Sequence, residues 1–304
     1  MSSKQISIVL LTVLSITACT FSSNKKDEQV IAKKVANLLD QMTLAEKVGQ
    51  MTQIDMRLLD DPRDIKTYHI GSILSGGGAV PKSNTPLGWL EMVNGFQKTA
   101  LEDRLAIPLI YGVDAVHGHN NVLGATVFPH NLALGAANDA DLVYRVNKAT
   151  ATEVAATGIH WTFSPCITVP QDPRWGRFYE GFGQSTELVN GLTAAAVKGY
   201  QAQLTEINDK QVAACAKHFI GDGATVWGTG TRIDGWPNQG ESVGSASTTA
   251  SNAAQYFVNV NTWAREAKAP LFYFSSFDES WKVHHEGDVG ARWGIWDKNE
   301  KLKF

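Results

Sequence analysis

The sequence predicts an α/β chain, a (β/α)8 TIM-type barrel that is incomplete or hybrid. Three observations predict it. Short apolar runs of strand length alternate with stretches of helical spacing, the pattern of parallel βα units. Polar, charged and ring-bearing residues follow where three of these runs stop, at Tyr111–His119, Asp172–Arg177 and Lys217–Phe219, as at the mouth of a barrel. The chain has 304 residues, enough for a barrel of about 250. Only five strands are legible, at 71–74, 108–113, 159–164, 212–216 and 270–277, where a closed barrel needs about eight.

The elements follow in order. Lys4 and the apolar run Ile6 to Leu14 read as a signal peptide over 1–18, too short to span a bilayer. Leu14-Ser-Ile-Thr-Ala-Cys19 is similar to a bacterial lipobox, which implies cleavage before Cys19 and lipidation of its thiol. An ordinary signal peptide with an incidental Cys is the other reading. The lipoprotein reading is preferred because Cys19 ends the apolar run and a polar tether follows to residue 29. Thr20 is unlike an inner-membrane retention signal, so the expected place is the outer membrane or periplasm, with the membrane engaged only through the lipid.

From Val30 the spacing of Ile31, Val35, Leu38, Leu39 and Met42 predicts a helix with one apolar face. Thr43-Leu-Ala-Glu46 is a capping box opening a second helix. Gly71–Leu74 is a strand, Leu87–Leu101 a helix, and Pro108–Val113 a strand ending at Asp114. Asn138-Asp139 caps a helix to about Thr157, with Gly158 at its stop. Ile159–Ser164 is the next strand, Ser185 caps a helix to Lys198, and Val212–Ala216 leads into Lys217-His218. After Gly221 the pattern lapses, until Thr249 or Ser251 caps a helix to Lys268 and Pro270–Phe277 forms a last strand.

The apolar fraction of 43% and charged fraction of 19% are those of a globular protein. A net charge of −3 gives no electrostatic reason to bind nucleic acid. Of the three cysteines, Cys166 and Cys215 lie in apolar runs and read as buried thiols. No zinc spacing occurs, and His117, His119 and His130 lack an acidic or Cys partner at ligand spacing. Gly76-Gly-Gly78 lacks the Lys-Ser/Thr of a phosphate loop. The side chains at the strand ends, Asp, two Arg, Lys, His and Trp, suit a neutral, hydroxyl-rich ligand such as a sugar. Trp175, Trp227 and Trp236 are candidate stacking platforms, and Trp175 fits a core equally.

Met42-Thr-Leu-Ala-Glu-Lys-Val-Gly-Gln-Met51, Tyr111-Gly-Val-Asp-Ala-Val-His-Gly-His-Asn-Asn121, Phe128-Pro-His-Asn131, Asp172-Pro-Arg-Trp-Gly-Arg177 and Ala216-Lys-His-Phe-Ile-Gly-Asp222 together resemble the N-terminal barrel of glycoside hydrolase family 3. The resemblance covers 30–232. It implies hydrolysis of β-glucosidic bonds by a retaining route without a cofactor. It also implies that Asp114, Arg177, Lys217 and His218 hydrogen-bond the terminal glucose of a β-glucan or β-gluco-oligosaccharide. Asp114 can accept from two hydroxyls, Arg177 and Lys217 donate, and His218 can do either. The family's nucleophile is an Asp in a Ser-Asp-Trp motif, which this sequence lacks, and its acid/base residue comes from a second domain.

The segment 233–304 resembles a different family. Gly235-Trp-Pro237, Ser251-Asn-Ala-Ala-Gln-Tyr-Phe257, Phe272–Lys282 and Trp293-Gly-Ile-Trp-Asp297 are similar to the C-terminal end of glycoside hydrolase family 17. There the nucleophile is a Glu two residues before Gly-Trp-Pro. Ile233 stands in that place here, followed by Asp234. The expectation is a fusion of two β-glucan hydrolase genes near 232–235, with a sequencing or assembly error as the other reading.

Retaining chemistry needs two carboxylates about 5–5.5 Å apart. Asp114 reads as a sugar-binding residue and Asp222 as a loop anchor. Asp172 and Arg174 suit a structural ion pair. Asp234 reaches the site only if the junction points inward, and of the carboxylates left, Asp278 and Glu279, the better catalytic candidate is Glu279, although the family 17 pattern gives it and Lys282 a supporting place. The alternative to an enzyme is a catalytically inactive sugar-binding remnant held by its lipid.

Overall fold

The computed structural model describes residues 29–202, 210–218, 223, 242–243, 246–247, 250–273, 275–280 and 294–303. The signal peptide, Cys19, Asp222, the junction at 232–235, Trp227, Trp236 and Lys282 lie outside the described residues. Two compact units divide the chain. One holds the described residues up to Leu74 together with Gly95–Ile110, and the other holds Ser75–Asn94 and the chain from Tyr111 onward.

The first unit opens with helix α1, described over 29–41. Helix α2 (Leu44–Gln50) starts at the capping box read from the sequence: the Glu46 amide donates to Thr43 Oγ1 at 3.3 Å, and the Thr43 amide donates to Glu46 Oε2 at 2.7 Å. Glu46 is buried because Arg104 also claims it, with Nε to Oε1 at 3.0 Å and Nη2 to Oε2 at 2.8 Å. One carboxylate thus fastens a helix start to the turn after helix α4 (Pro86–Leu101). The backbone of Tyr68 lies so close to Gly49 that an added Cβ would sit 2.2 Å from its carbonyl oxygen.

Strand β1 (Gln53–Asp55) pairs in parallel with β2 (Ser72–Ser75), in the register Gln53↔Ser72 and Asp55↔Leu74. A short helix α3 (Asp64–Thr67) lies between them. Strand β3 (Ile110–Val113) begins in this unit, where the Ile110 amide donates to Gly71 O at 2.9 Å. The side chain of Gln97 in α4 mimics a strand partner there, donating to Leu109 O and accepting from its amide.

In the second unit β3 continues beside the end of β2, with the Asp114 amide donating to Ser75 O at 3.2 Å. Strand β4 (Trp161–Thr162) pairs in parallel with β3, Gly112↔Trp161 and Val113↔Thr162. Segment 213–217 runs parallel on its other side through Trp161↔Ala213 and Cys166↔Lys217. The Phe163 ring fills the space where a side chain at 112 would stand.

Helices α5 (Asn131–Ala137), α6 (Ala140–Ala156) and α7 (Thr186–Gln201) cover this side. Asp139 and Ser185 cap α6 and α7 as their sequence positions predict. Leu134, Val143, Val146, Phe182, Val189, Leu192 and Ala196 form the core between them. Each large aliphatic side chain buried here contributes about 1.5–3 kcal/mol. Gly135 is required, since Phe182 O would lie 1.6 Å from any Cβ at that position.

The short strands β5 (Ser242–Val243) and β6 (Ala246–Ser247) pair antiparallel. Helix α8 (Ala250–Ala267) follows, and the next segment returns to the strands where Phe272 packs on Trp161 with ring centroids 4.5 Å apart.

Among the described residues the α1 stripe is only partly covered: Val30, Ile31, Val35 and Leu39 are exposed, while Leu38 and Met42 are half-buried. The strand expected over 270–277 is corrected: among its described residues it keeps the bridge Phe277↔Trp296, while Phe272 and Tyr273 make ring contacts with Trp161 and Phe257. Elements β1, α3 and α5 were not read from the sequence, being only three to seven residues long.

The Arg104 hydrogen bond, then the Thr43 amide, hold the Glu46 carboxyl down at about 2, against an ordinary value of 4.5. Its folded-state value is depressed, so its stabilisation is complete above about pH 4.5 and is lost as pH falls toward 2. Glu46→Gln is expected to lower Tm at pH 7, with the gap to the unmodified chain closing between pH 4.5 and 2. A gap that stays constant with pH in thermal melts would contradict this.

Candidate functional site

Asp114 is the first residue after β3, and Lys217 ends the segment beside β4. Their strands bring them together: Lys217 Nζ donates to Asp114 Oδ1 at 2.6 Å. The pair is mostly shielded, with side-chain exposures of 17% and 25%. Burial works against the Lys217 charge, but Asp114 and the neighbouring Cys166 and Glu180 outweigh it, and the ammonium is held above its ordinary value. Backbone bonds fix the position, with the Lys217 amide on Pro165 O at 3.1 Å and the Ile167 amide on Lys217 O at 2.7 Å. The Lys217–His218 and Ser164–Pro165 peptides are both cis.

Arg177 precedes a 3-10 turn, Phe178–Glu180, which sets residues 177 and 180 side by side. Its Nε and Nη2 donate to the two oxygens of Glu180 at 2.7 and 2.6 Å, a bidentate fork. Arg177 Nη2 lies 3.3 Å from His218 Nε2. Guanidinium has only donors, so His218 accepts through Nε2 and carries its proton on Nδ1. Burial raises the Glu180 carboxyl, but the Arg177 bonds and charge and the Lys217 charge overcome it, leaving it below the ordinary carboxylate range. The Cys166 thiol donates to Glu180 Oε2 at 3.4 Å, and Asn131 Nδ2 donates to Glu180 O at 2.9 Å. Cys166 is itself pushed up to about 12 by burial, so it serves as a thiol donor, not a nucleophile.

Asp114, Lys217, Arg177 and His218, named from sequence, therefore form one cluster. Glu279 is half-buried on the segment that bridges to Trp296, beside Asp278, which accepts from Lys303 at 2.8 Å. Sequence reading missed Glu180 and Tyr200. The Tyr200 hydroxyl is buried between Ala115 O at 3.1 Å and Ser164 Oγ at 2.9 Å, tying the ends of β3 and β4. Glu180 carried one signal, its spacing of three from Arg177.

Trp175 is only 3% exposed, so it belongs to the core and is no stacking platform. Asp172 and Arg174 make the structural ion pair expected, at 2.6 Å. The three histidines have structural work. His119 donates through Nε2 to Thr157 Oγ1, whose hydroxyl is given to Val154 O, and burial pushes its imidazole down to about 4. His117 donates Nδ1 to Phe128 O and stacks on His130 at 3.9 Å. Gly118, between His117 and His119, holds φ +93, with Thr126 O filling the Cβ position. A small recess lined by Glu46, Gln50, His69 and Asp103 is built by the first unit alone and contains none of the four clustered residues.

The parallel strands thus bring two charge pairs together at their ends, with donors and acceptors of the kind that hydrogen-bond hydroxyls. Residues 43–246 match the glycosyl hydrolase family 3 N-terminal domain, and the chain belongs to that family. It is 37% identical over 209 residues to the lysosomal beta glucosidase of Dictyostelium discoideum, covering 62% of this chain and 25% of that protein. It is 35% identical to the periplasmic beta-glucosidase of Salmonella typhimurium, covering 64% of this chain and 24% of that one. The exo-1,3/1,4-beta-glucanase structure from a Pseudoalteromonas species superposes with a TM-score of 0.61 at 41% identity, over 66% of this chain and 26% of that chain. The chain thus spans about a quarter of the length of these curated relatives.

Asp114→Ala strands the Lys217 ammonium in a shielded place and is expected to cost about 3 kcal/mol in urea denaturation. Asp114→Ala combined with Lys217→Met removes both charges and should recover most of that loss. Equal losses in the single and double variants would contradict the pairing.

Proposed function

We propose that this chain binds the terminal glucosyl unit of a β-glucan or β-gluco-oligosaccharide through Asp114, Arg177, Lys217 and His218. Its function on this reading is hydrolysis of β-glucosidic bonds by a retaining double displacement, without a cofactor. The observation that carries it is the joining of the four residues, by the 2.6 Å Lys217–Asp114 bond and the 3.3 Å Arg177–His218 contact. Asp114 offers acceptor capacity to sugar hydroxyls, while Lys217 and Arg177 supply donors. The names of the relatives, beta-glucosidases and an exo-glucanase, support the same reading.

Residues 1–18 are a signal peptide, Cys19 carries lipid and residues up to 29 are a tether, which places the protein in the periplasm or at the outer membrane. The periplasmic relative supports that compartment. Residues 30–232 are the family 3 part, and 233–304 are a family 17-like part joined by gene fusion into an incomplete or hybrid barrel. The packing of Phe272 on Trp161 is compatible with such a hybrid. Glu279 is the catalytic candidate in that part.

A second reading is a sugar-binding remnant without turnover, favoured by one observation. Both carboxylates in the cluster, Asp114 and Glu180, are already committed to cations. Release of p-nitrophenol from its β-glucoside, set against pull-down on insoluble β-1,3-glucan, separates the two. Turnover that vanishes in Glu279→Gln establishes the enzyme. Pull-down lost in Asp114→Ala, with no turnover in any variant, establishes the remnant. The anchor is checked separately: Cys19→Ser should move the protein from the membrane to the soluble fraction of a bacterial host. An unchanged distribution would remove the lipoprotein reading.

A further inference from the structure

Among the described residues the cluster contains two cations and two carboxylates, with Lys217 bonded to Asp114 and Arg177 to Glu180. Their formal charges sum to zero. His218 adds none, because it accepts from Arg177 and so holds the neutral tautomer. Side-chain exposure of 15–25% leaves little solvent to screen an imbalance.

The position of Glu180 matters more than its charge alone. A carboxylate ligand binds guanidinium best through the two parallel N–H bonds of one edge. Glu180 occupies the Nε–Nη2 edge in that manner, and is itself fastened by Cys166 and Asn131. An arriving carboxylate would find the Nε–Nη2 edge taken by a like charge and Nη2 also turned toward His218. A neutral hydroxyl needs only a single N–H and meets no repulsion.

We infer that Glu180 is a specificity-determining residue that matches this site to neutral sugars and excludes sugar acids, by filling the Arg177 fork and cancelling its charge. The inference rests on the sugar-binding reading of the same cluster. Glu180 need not touch the ligand for this, since it acts through Arg177.

The test is isothermal titration of the full chain with glucose and with glucuronate. The unmodified chain should bind glucose and discriminate against glucuronate. Glu180→Gln should narrow the glucose-to-glucuronate affinity ratio by about tenfold or more, because no carboxylate at 180 then offsets the Arg177 charge. Glu180→Asp keeps the charge and should keep the ratio while weakening both ligands. A merely structural role would weaken both ligands alike in Glu180→Gln and leave the ratio unchanged, which overturns the inference. Where circular dichroism finds Glu180→Gln unfolded, Arg177→Gln/Glu180→Gln replaces it, since it buries no lone charge. That double variant also removes a sugar contact, so it should weaken glucose yet keep glucose favoured over glucuronate, and loss of that preference overturns the charge-balance account. Failure of the unmodified chain to bind either sugar overturns the sugar-binding reading and this inference together. Glucose binding with an unchanged ratio overturns this inference alone.

Discussion

The bond between Lys217 and Asp114 depends on a backbone constraint, the parallel run of β3, β4 and segment 213–217. Residues 103 positions apart in sequence meet because each ends a stretch that flanks β4. A shielded ion pair of this kind contributes little net stability, since desolvation offsets most of the attraction. Its effect is to fix where two charged groups stand. The Arg177–Glu180 fork does the same from the loop after β4, and the contact between Arg177 and His218 joins the two pairs.

The scaffold beneath is tight at the backbone level. Phe182 rests on Gly135, Phe163 fills the face of Gly112, and Tyr200 clamps the ends of β3 and β4 from α7. Interiors packed this closely transmit displacement instead of absorbing it. The helical core of Leu134, Val143, Phe182 and Val189 is therefore connected to the site in a mechanical sense. Through Tyr200, a shift of α7 would be felt at Ala115, next to Asp114.

What was legible in the sequence was local or motif-borne. The capping residues Thr43, Asp139 and Ser185 announce α2, α6 and α7 because a cap is a hydrogen bond within a few residues. The clustered Asp114, Arg177, Lys217 and His218 were legible through motif order, since no periodicity relates them. Strand β1 was invisible, with Ile54 its single apolar residue. Glu180 was hidden because its role depends on a 3-10 turn and on burial against Cys166, neither of which three letters of spacing reveal. Trp175 illustrates the converse: an aromatic beside a binding motif turned inward. The α1 stripe shows that amphipathic spacing announces a helix without announcing what covers it.

That stripe has a practical side. Among the described residues, Val30, Ile31, Val35 and Leu39 on α1, with Leu44 at the start of α2 and Met51 just past its end, are exposed hydrocarbon. Surfaces like this adhere to plastic, to hydrophobic resins and to one another, and the attraction weakens on cooling. The purified chain would be retained on a phenyl column and kept dispersed by a mild detergent, and it would handle better in a cold room than on the bench.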